Sequence, residues 1–277
     1  MPYWLFDVIV LCLPTALLLR GTRPDRRVWS AVAALCVIAL VWTGPWDEHL
    51  VRTGVWSYDP DRVLARIGSV PAEEYAFVVL LVVLVAAWGV RTGRLVPTAP
   101  SPLPRSASRA RATGAALWLA VGLTGAGLLV VGGTWRYLAL LLVWIAPPML
   151  LQRAVAGDLL RGRRADRALL ALPVALWLCV ADRLALADGI WVIAPESSTG
   201  LLLLGLPVEE ALFFVLTCAL VTDGLVLACD DRALSRVRAL LARVGAACRS
   251  HVPAAATTRA PDVLSAYGAR HGRRLDP

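Results

Sequence analysis

The sequence predicts an all-α polytopic membrane protein with seven transmembrane helices, built as two parallel three-helix repeats joined by a Gly-rich helix. Three observations predict it. The 277-residue chain is 58% hydrophobic with a mean hydropathy of +0.66, outside the range of ordinary soluble domains. Apolar stretches of membrane-spanning length recur at about 3–19, 28–46, 71–90, 114–133, 137–151, 168–187 and 207–229. Finally, the chain repeats itself with a period near 135 residues.

Each stretch has its own justification. The first, 3–19, is expected to be retained, because a basic loop and a second span follow it without a small-residue cleavage site. The third, counted from Pro71, has 20 residues, which at 1.5 Å each gives ~30 Å, one hydrocarbon core. The fourth contains "GLTGAG" (122–127) inside the span rather than after a strand. Those glycines serve helix packing and are no dinucleotide fingerprint.

All 28 basic residues are arginine, and the net charge is +8. Their placement argues for a membrane rather than for nucleic acid. Arg20, Arg23, Arg26 and Arg27 fill the first loop, Arg91, Arg94, Arg105, Arg109 and Arg111 the third, and Arg153, Arg161, Arg163, Arg164 and Arg167 the fifth. Nine more lie from Arg232 onward, whereas the alternate loops carry few. The positive-inside rule then puts the N-terminus outside and the C-terminus in the cytoplasm of a cell (inner or plasma) membrane. After the last span, 231–249 reads as a basic amphipathic helix on the inner leaflet, with Leu234, Val237, Leu240, Leu241 and Val244 at helical spacing, and 251–277 as a disordered tail. The expected domains are a first repeat over 1–90, a basic loop and connecting span over 91–135, a second repeat over 136–229 and the tail over 230–277.

The repeat is specific. Asp47 falls on Asp182, Gly54 on Gly189, Trp56 on Trp191 and Pro60 on Pro195 at an offset of 135; Pro71 falls on Pro207, Glu73 on Glu209, Glu74 on Glu210 and Phe77 on Phe213 at 136. Tyr3 falls on Tyr137 and Pro14 on Pro148 at 134. The first spans of the two units are four crossings apart, so the units point the same way, with a pseudo-twofold along the bilayer normal. Both Pro-x-Glu-Glu elements then share one face of the membrane, and four glutamates are expected around one central cavity.

Proline and acids at a helix start are ordinary in themselves, stabilised by free N–H groups and the macrodipole. Here the apolar run Leu201–Leu206 sets Glu209 and Glu210 deeper than a solvated cap, and intramembrane carboxylates mark function. Glu73, Glu74, Glu209 and Glu210 are therefore the candidate catalytic set. Burial and neighbouring carboxylates favour a retained proton and the helix N-terminus favours ionisation, so such a set can hold one acid and one base. Phe77 and Phe213 lie at i+4 from Glu73 and Glu209, beside the first carboxylates. Trp56 and Trp191 read either as interfacial belt residues or as π faces for a cation, Asp47 and Asp182 as surface acids or as supports of the glutamates.

Other chemistries lack their residues. The six cysteines form no CxxC pair and two of three histidines lie in the tail, so no metal site is expected. There is no phosphate loop and no Asp-rich diphosphate motif. An intramembrane CAAX-type protease would need an arginine soon after Glu-Glu and intramembrane histidines. A proton-coupled transporter or channel is the main rival reading, since repeats with buried acids serve there as well.

The tandem three-span units, each with an Asp–Gly-x-Trp loop leading into Pro-x-Glu-Glu-x-x-Phe, resemble the non-flavin lycopene cyclases in their fused single-chain form, over about 1–90 and 136–229. "PVEEALFF" carries Phe213 and Phe214, whereas "PAEEYAFVV" has Val78 at the second position, so the halves are expected to differ in role. The resemblance implies conversion of the linear ψ ends of lycopene, or of a C50 carotenoid, to rings by protonation and carbocation cyclisation without net redox. It implies the four glutamates as acid and base, and Trp56, Trp191, Phe77, Phe213, Phe214, Asp47 and Asp182 around the substrate. No cofactor and no metal follow from it. The implied partners are the apolar polyene taken from the bilayer, membrane lipids and neighbouring enzymes of carotenoid synthesis, with no nucleic acid.

Overall fold

A computed structural model describes residues 1–23, 25–96 and 106–251. Its helices are α1 (Tyr3–Leu19), α2 (Arg26–Arg52), α3 (Ala72–Thr92), α4 (Ala107–Val131), α5 (Arg136–Gly162), α6 (Arg164–Asp188), α7 (Val208–Ala228) and α8 (Asp231–His251). Six of them, α2 to α7, are long and apolar enough to cross a membrane. The chain is thus a multi-pass helical membrane protein. The first apolar stretch, α1, is shorter and is interrupted by a π turn at Val8–Cys12.

The local sequence explains the boundaries. Asp25 caps α2 by accepting from Arg27 N, and Ser106 caps α4 by accepting from Arg109 N, which satisfies otherwise orphaned donors. Left-handed glycines, Gly93 and Gly189, end α3 and α6. The fifth span runs well past its expected end at 151: α5 continues to Gly162 through a distortion at Ala156.

The all-α expectation needs one amendment. Short antiparallel ladders join the helices: β1 (Trp56–Tyr58) pairs with β4 (Trp191–Ile193), β2 (Arg66–Ile67) with β3 (Val70–Pro71), and β5 (Leu202–Leu203) with β6 (Leu206–Pro207). The last two are hairpins. Gly68 turns one at φ 67°, and Leu204 and Gly205 turn the other at φ 52° and 82°, the left-handed region that residues other than glycine seldom enter. Leu204 is 94% exposed. Leu202 and Leu203 pair with Pro207 and Leu206, and Leu201 to Leu204 all lie exposed on the protein surface.

Packing centres on α7 and α3. α7 is the most enclosed span and contacts α2, α3, α5 and α6, whereas α4 is the least enclosed and lies along α5. A Cβ on Gly125 would stand 2.8 Å from Leu142 Cβ and 3.0 Å from Val143 N, and one on Gly122 would stand 3.1 Å from Ala146 Cβ. Backbones approach this closely only over glycine. Four of the five arginines expected in the fifth loop are helical, and two of them, Arg153 on α5 and Arg167 on α6, pair with fully buried Asp223 of α7, Arg153 at 2.6 Å. Near the end of α5, Asp158 receives Arg236 at 2.7 and 2.8 Å.

The chain divides into two compact units, Met1–Arg236 and Val237–Pro277. The second contains the remainder of α8, where Val237, Leu240 and Leu241 are exposed; the tail expected to be disordered lies, beyond His251, outside the described residues.

Candidate active site

α3 and α7 both start at a Pro-x-Glu-Glu element, directly after hairpins. In each, the first helical amide closes back onto the loop, Ala72 N on Ala65 O and Val208 N on Leu201 O, both at 2.9 Å. The glutamates in the first turn are all buried. Consecutive helical residues diverge by roughly 100°, so the two members of each pair cannot face the same way.

The first members face their own loops. Glu73 Oε1 accepts from Leu64 N at 2.6 Å, and Glu209 Oε1 accepts from Thr199 N at 2.7 Å and Thr199 Oγ1 at 2.6 Å. The second members face the bundle. Glu74 and Glu210 line one cavity of about 20 Å³ together with Tyr3, Trp56, Tyr58, Phe77, Asp182, Trp191, Phe213 and Phe214. The expectation of four glutamates around one cavity is thus corrected to two, with Glu73 and Glu209 outside its lining.

Three phenols complete the acid cluster. Tyr3 Oη and Tyr58 Oη each donate to Glu74 Oε2 at 2.8 Å, and Tyr137 Oη donates to Glu210 Oε1 at 2.6 Å. The sequence alone marks none of the three as a site residue, although Tyr3 and Tyr137 stand there as repeat partners. Asp47 and Asp182 are each 1% exposed, so neither is a surface acid. Asp182 accepts from Trp191 Nε1 at 2.9 Å and lines the cavity, whereas Asp47 stays behind it within electrostatic reach of Glu74.

The rings close the site. Trp191 sits 5.2 Å from Tyr3 and 5.1 Å from Phe6; Trp56 lies 5.7 Å from Tyr137 and 5.4 Å from Trp46, which stacks on Trp144 at 4.7 Å. Phe213 and Phe214 are 5.1 Å apart, and Phe77 meets Phe214 at 6.2 Å. Phe77 is i+3 from Glu74 and shares its cavity, so its ring attends the second glutamate rather than the first.

A second opening leads to the same acid. A groove of about 330 Å³ between α2, α3, α5 and α7 is lined by Trp42, Trp144, Pro147, Pro148 and Leu151 among others, and Glu74, Phe77 and Phe213 belong both to it and to the small cavity. It follows α3 from Glu74 to Val82 and α7 from Phe213 to Val221, ~12 Å at the helical rise. Ile38 and Leu151 on its rim are largely exposed, so it opens sideways, where a bilayer would be. A further groove of about 340 Å³, lined by Pro14, Leu17, Trp88, Pro173 and Trp177 among others, does not include the glutamates.

Fold and site together define a multi-pass membrane protein with a buried acid–phenol cluster at the end of an apolar, laterally open groove. Known proteins supply the rest. The profile of the lycopene cyclase family matches residues 1–88 and 134–223. The chain is 42% identical over 204 residues to a lycopene beta-cyclase of Halobacterium salinarum, covering 73% of this chain and 84% of that protein. It is 32% identical over 256 residues to a bifunctional lycopene cyclase/phytoene synthase of Arthroderma gypseum, covering 83% of this chain and 42% of that protein. A protein of the same description from Leptosphaeria maculans is 35% identical over 208 residues, 70% of this chain and 35% of that one. The chain thus spans less than half the length of these two fungal proteins. No solved structure matches it. The chain belongs to the lycopene cyclase family.

Proposed function

We propose that this chain cyclises the linear ψ end of lycopene, or of a related C50 carotenoid, within a cell membrane. One observation carries the reading: Glu74 stands where the apolar groove meets the acid–phenol cavity. A polyene end drawn from the bilayer along this groove would reach the Glu74 carboxyl there. The names of the relatives support the same substrate class.

The chemistry needs no net redox. A carboxylic acid gives a proton to C2, the resulting C1 cation is attacked by the C5=C6 double bond to form the C1–C6 bond, and the C5 cation loses a proton to a carboxylate. Glu74 and Glu210 are our acid/base pair, general acid–base work worth about 10²–10⁴-fold each. Glu73 and Glu209 hold the loops that set them. Phe77, Phe213, Phe214, Trp56 and Trp191 present π faces to the cation, while Asp182 orients Trp191 and Asp47 backs Glu74.

For the architecture we propose seven spans, with α1 as the first, arranged as two parallel repeats. The β1–β4 register supports a twofold relation: Ser57 pairs with its repeat equivalent Val192, while Trp56 pairs with Ile193 and Tyr58 with Trp191, so equivalent residues exchange places about one point. The arginine distribution supports an outside N-terminus and a cytoplasmic C-terminus, with α8 along the inner leaflet.

Expression in lycopene-accumulating cells, followed by pigment analysis, tests the reading. Cyclic carotenoids are expected. Unchanged lycopene beside well-inserted protein would overturn it, and proton flux into liposomes would then point to a transporter.

A further inference from the structure

The apolar groove that does not include the glutamates is a counterpart of the one that does. The two units align at offsets of 134 for α1 on α5, 135 for α2 on α6 and 136 for α3 on α7. Pro14 and Leu17 then fall on Pro148 and Leu151, and Trp177 falls on Trp42. Every residue lining the groove of about 340 Å³, except Trp88, has its equivalent in the lining of the groove of about 330 Å³. A hydrogen bond at the wall is repeated as well. Trp42 Nε1 donates to Trp144 O at 3.3 Å, and Trp177 Nε1 donates to the equivalent carbonyl, Val10 O, at 2.9 Å. Leu151 and Leu17 line the two grooves, each 58% exposed, so both open sideways.

The likeness ends toward the acids. The first groove continues along α3 past Val82 and Val78 to Glu74, whereas among the described residues none of α7 lines the second. Val10 stands where the first groove has Trp144, which by size would widen the second groove, so the closure comes from elsewhere. Among the equivalents missing from the second lining, only Phe214, in the place of Val78, gains a ring. Val78 and Phe214 are each i+4 from the bundle-facing glutamate of their own helix, one turn further on the same face. A chain approaching Glu74 along α3 passes a valine; one approaching Glu210 along α7 meets a phenyl ring. That ring is 3% exposed, lies 5.1 Å from Phe213 and 6.2 Å from Phe77, and lines the acid cavity with them.

We propose that Phe214 is a specificity-determining residue that closes the second groove short of Glu210, so that polyene ends enter only along the groove that Val78 leaves open to Glu74. The site then has two matching halves and one entrance. With both grooves open, two polyene ends would compete for a single cavity of about 20 Å³. Val78 and Phe214 thus give the halves their unequal roles.

The proposal rests on the cyclase reading, and cyclisation by the wild-type protein is the control that separates the two. The experiment exchanges the two residues and reads ring formation per inserted molecule in lycopene-containing membranes. We expect Val78→Phe to insert, because its ring enters a groove open to the bilayer, and to lose roughly tenfold or more, since the reacting end no longer reaches its position. Adding Phe214→Val should raise the rate about threefold or more above Val78→Phe by opening the second groove. It should stop short of wild type, because Phe214 also faces the cation. The regained rate should fall on adding Leu17→Trp, a change that leaves the wild-type rate as it is. Wild-type cyclisation by Val78→Phe would overturn the proposal. So would an exchanged chain that accumulates yet stays as slow as Val78→Phe, or a recovery indifferent to Leu17→Trp, the mark of restored packing rather than of a new entrance. Should either exchange keep the protein from accumulating, Val78→Leu or Phe214→Leu carries the same comparison.

Discussion

Replacing Glu74 by glutamine removes one transferable proton and little else. The amide has nearly the carboxylate's shape, its Oε can still accept from Tyr3 and Tyr58, both now at 2.8 Å, and a neutral amide is cheaper to bury than a charge. The protein should insert. Loss of the general acid costs about 10²–10⁴-fold, or ~2.7–5.4 kcal/mol at 1.36 kcal/mol per decade. Glu73→Gln is the matched control, one residue away on the same helix turn. Its oxygen keeps the bond from Leu64 N, now 2.6 Å, and exchanges a charge-assisted hydrogen bond for a neutral one, a difference of ~1 kcal/mol. The assay is the rate of ring formation per inserted molecule in lycopene-containing membranes. Near-wild-type cyclisation by Glu74→Gln would refute the assignment, and so would a Glu73→Gln variant as inactive as Glu74→Gln.

Three further outcomes follow from the geometry. Tyr137→Phe deletes the donor 2.6 Å from Glu210, a bond to an ionisable group worth ~1.5–3 kcal/mol, so the cyclisation rate should fall about tenfold or more at unchanged protein level. Gly125→Val drives a Cβ to 3.0 Å from the Val143 backbone nitrogen, whereas a Cβ on Gly127 meets nothing within 4 Å; the first should lower thermal stability in detergent by ~1–3 kcal/mol, the second leave it unchanged. Tags inserted in 47–66 and in 190–200 should both be labelled from outside intact cells and a C-terminal reporter should read cytoplasmic; opposite accessibility of the two loops would end the parallel-repeat proposal.

Much of this was legible because membrane-spanning helices write themselves plainly: six apolar stretches became α2 to α7. Trp56 and Trp191, matched in the sequence at an offset of 135, lie in strands that pair with each other. What escaped depends on direction rather than on composition. Leu201–Leu204 reads as the lead-in to an apolar span, yet Gly205 and the left-handed Leu204 turn it into a hairpin. Arg153 and Arg167 read as loop charges until their common partner, Asp223, is seen beneath them. Tyr58 has no repeat partner of its own kind, since Ile193 stands at the matching position, so the comparison that exposed the glutamates passed it over. A lone phenol or carboxyl near a span end looks like an interface residue until its neighbours are known.

The doubled glutamate has a geometric reason. A single carboxylate at a helix start can either brace the preceding loop or face the bundle, since one rotamer cannot do both. Two in succession, ~100° apart, do both: Glu73 and Glu209 grip Leu64 and Thr199 while Glu74 and Glu210 meet the phenols. Loop and bundle-facing acid are then fixed by one helical turn, and the turn's dipole is shared by both members. If the first glutamate acts only by holding the second in place, its removal should matter less once the second is gone. In a double-mutant cycle, Glu73→Gln should slow cyclisation in the wild-type background and add little to Glu74→Gln, a coupling of the kind expected of residues that share a task. Full additivity of the two changes in free energy would mean that Glu73 reaches the substrate by a route of its own.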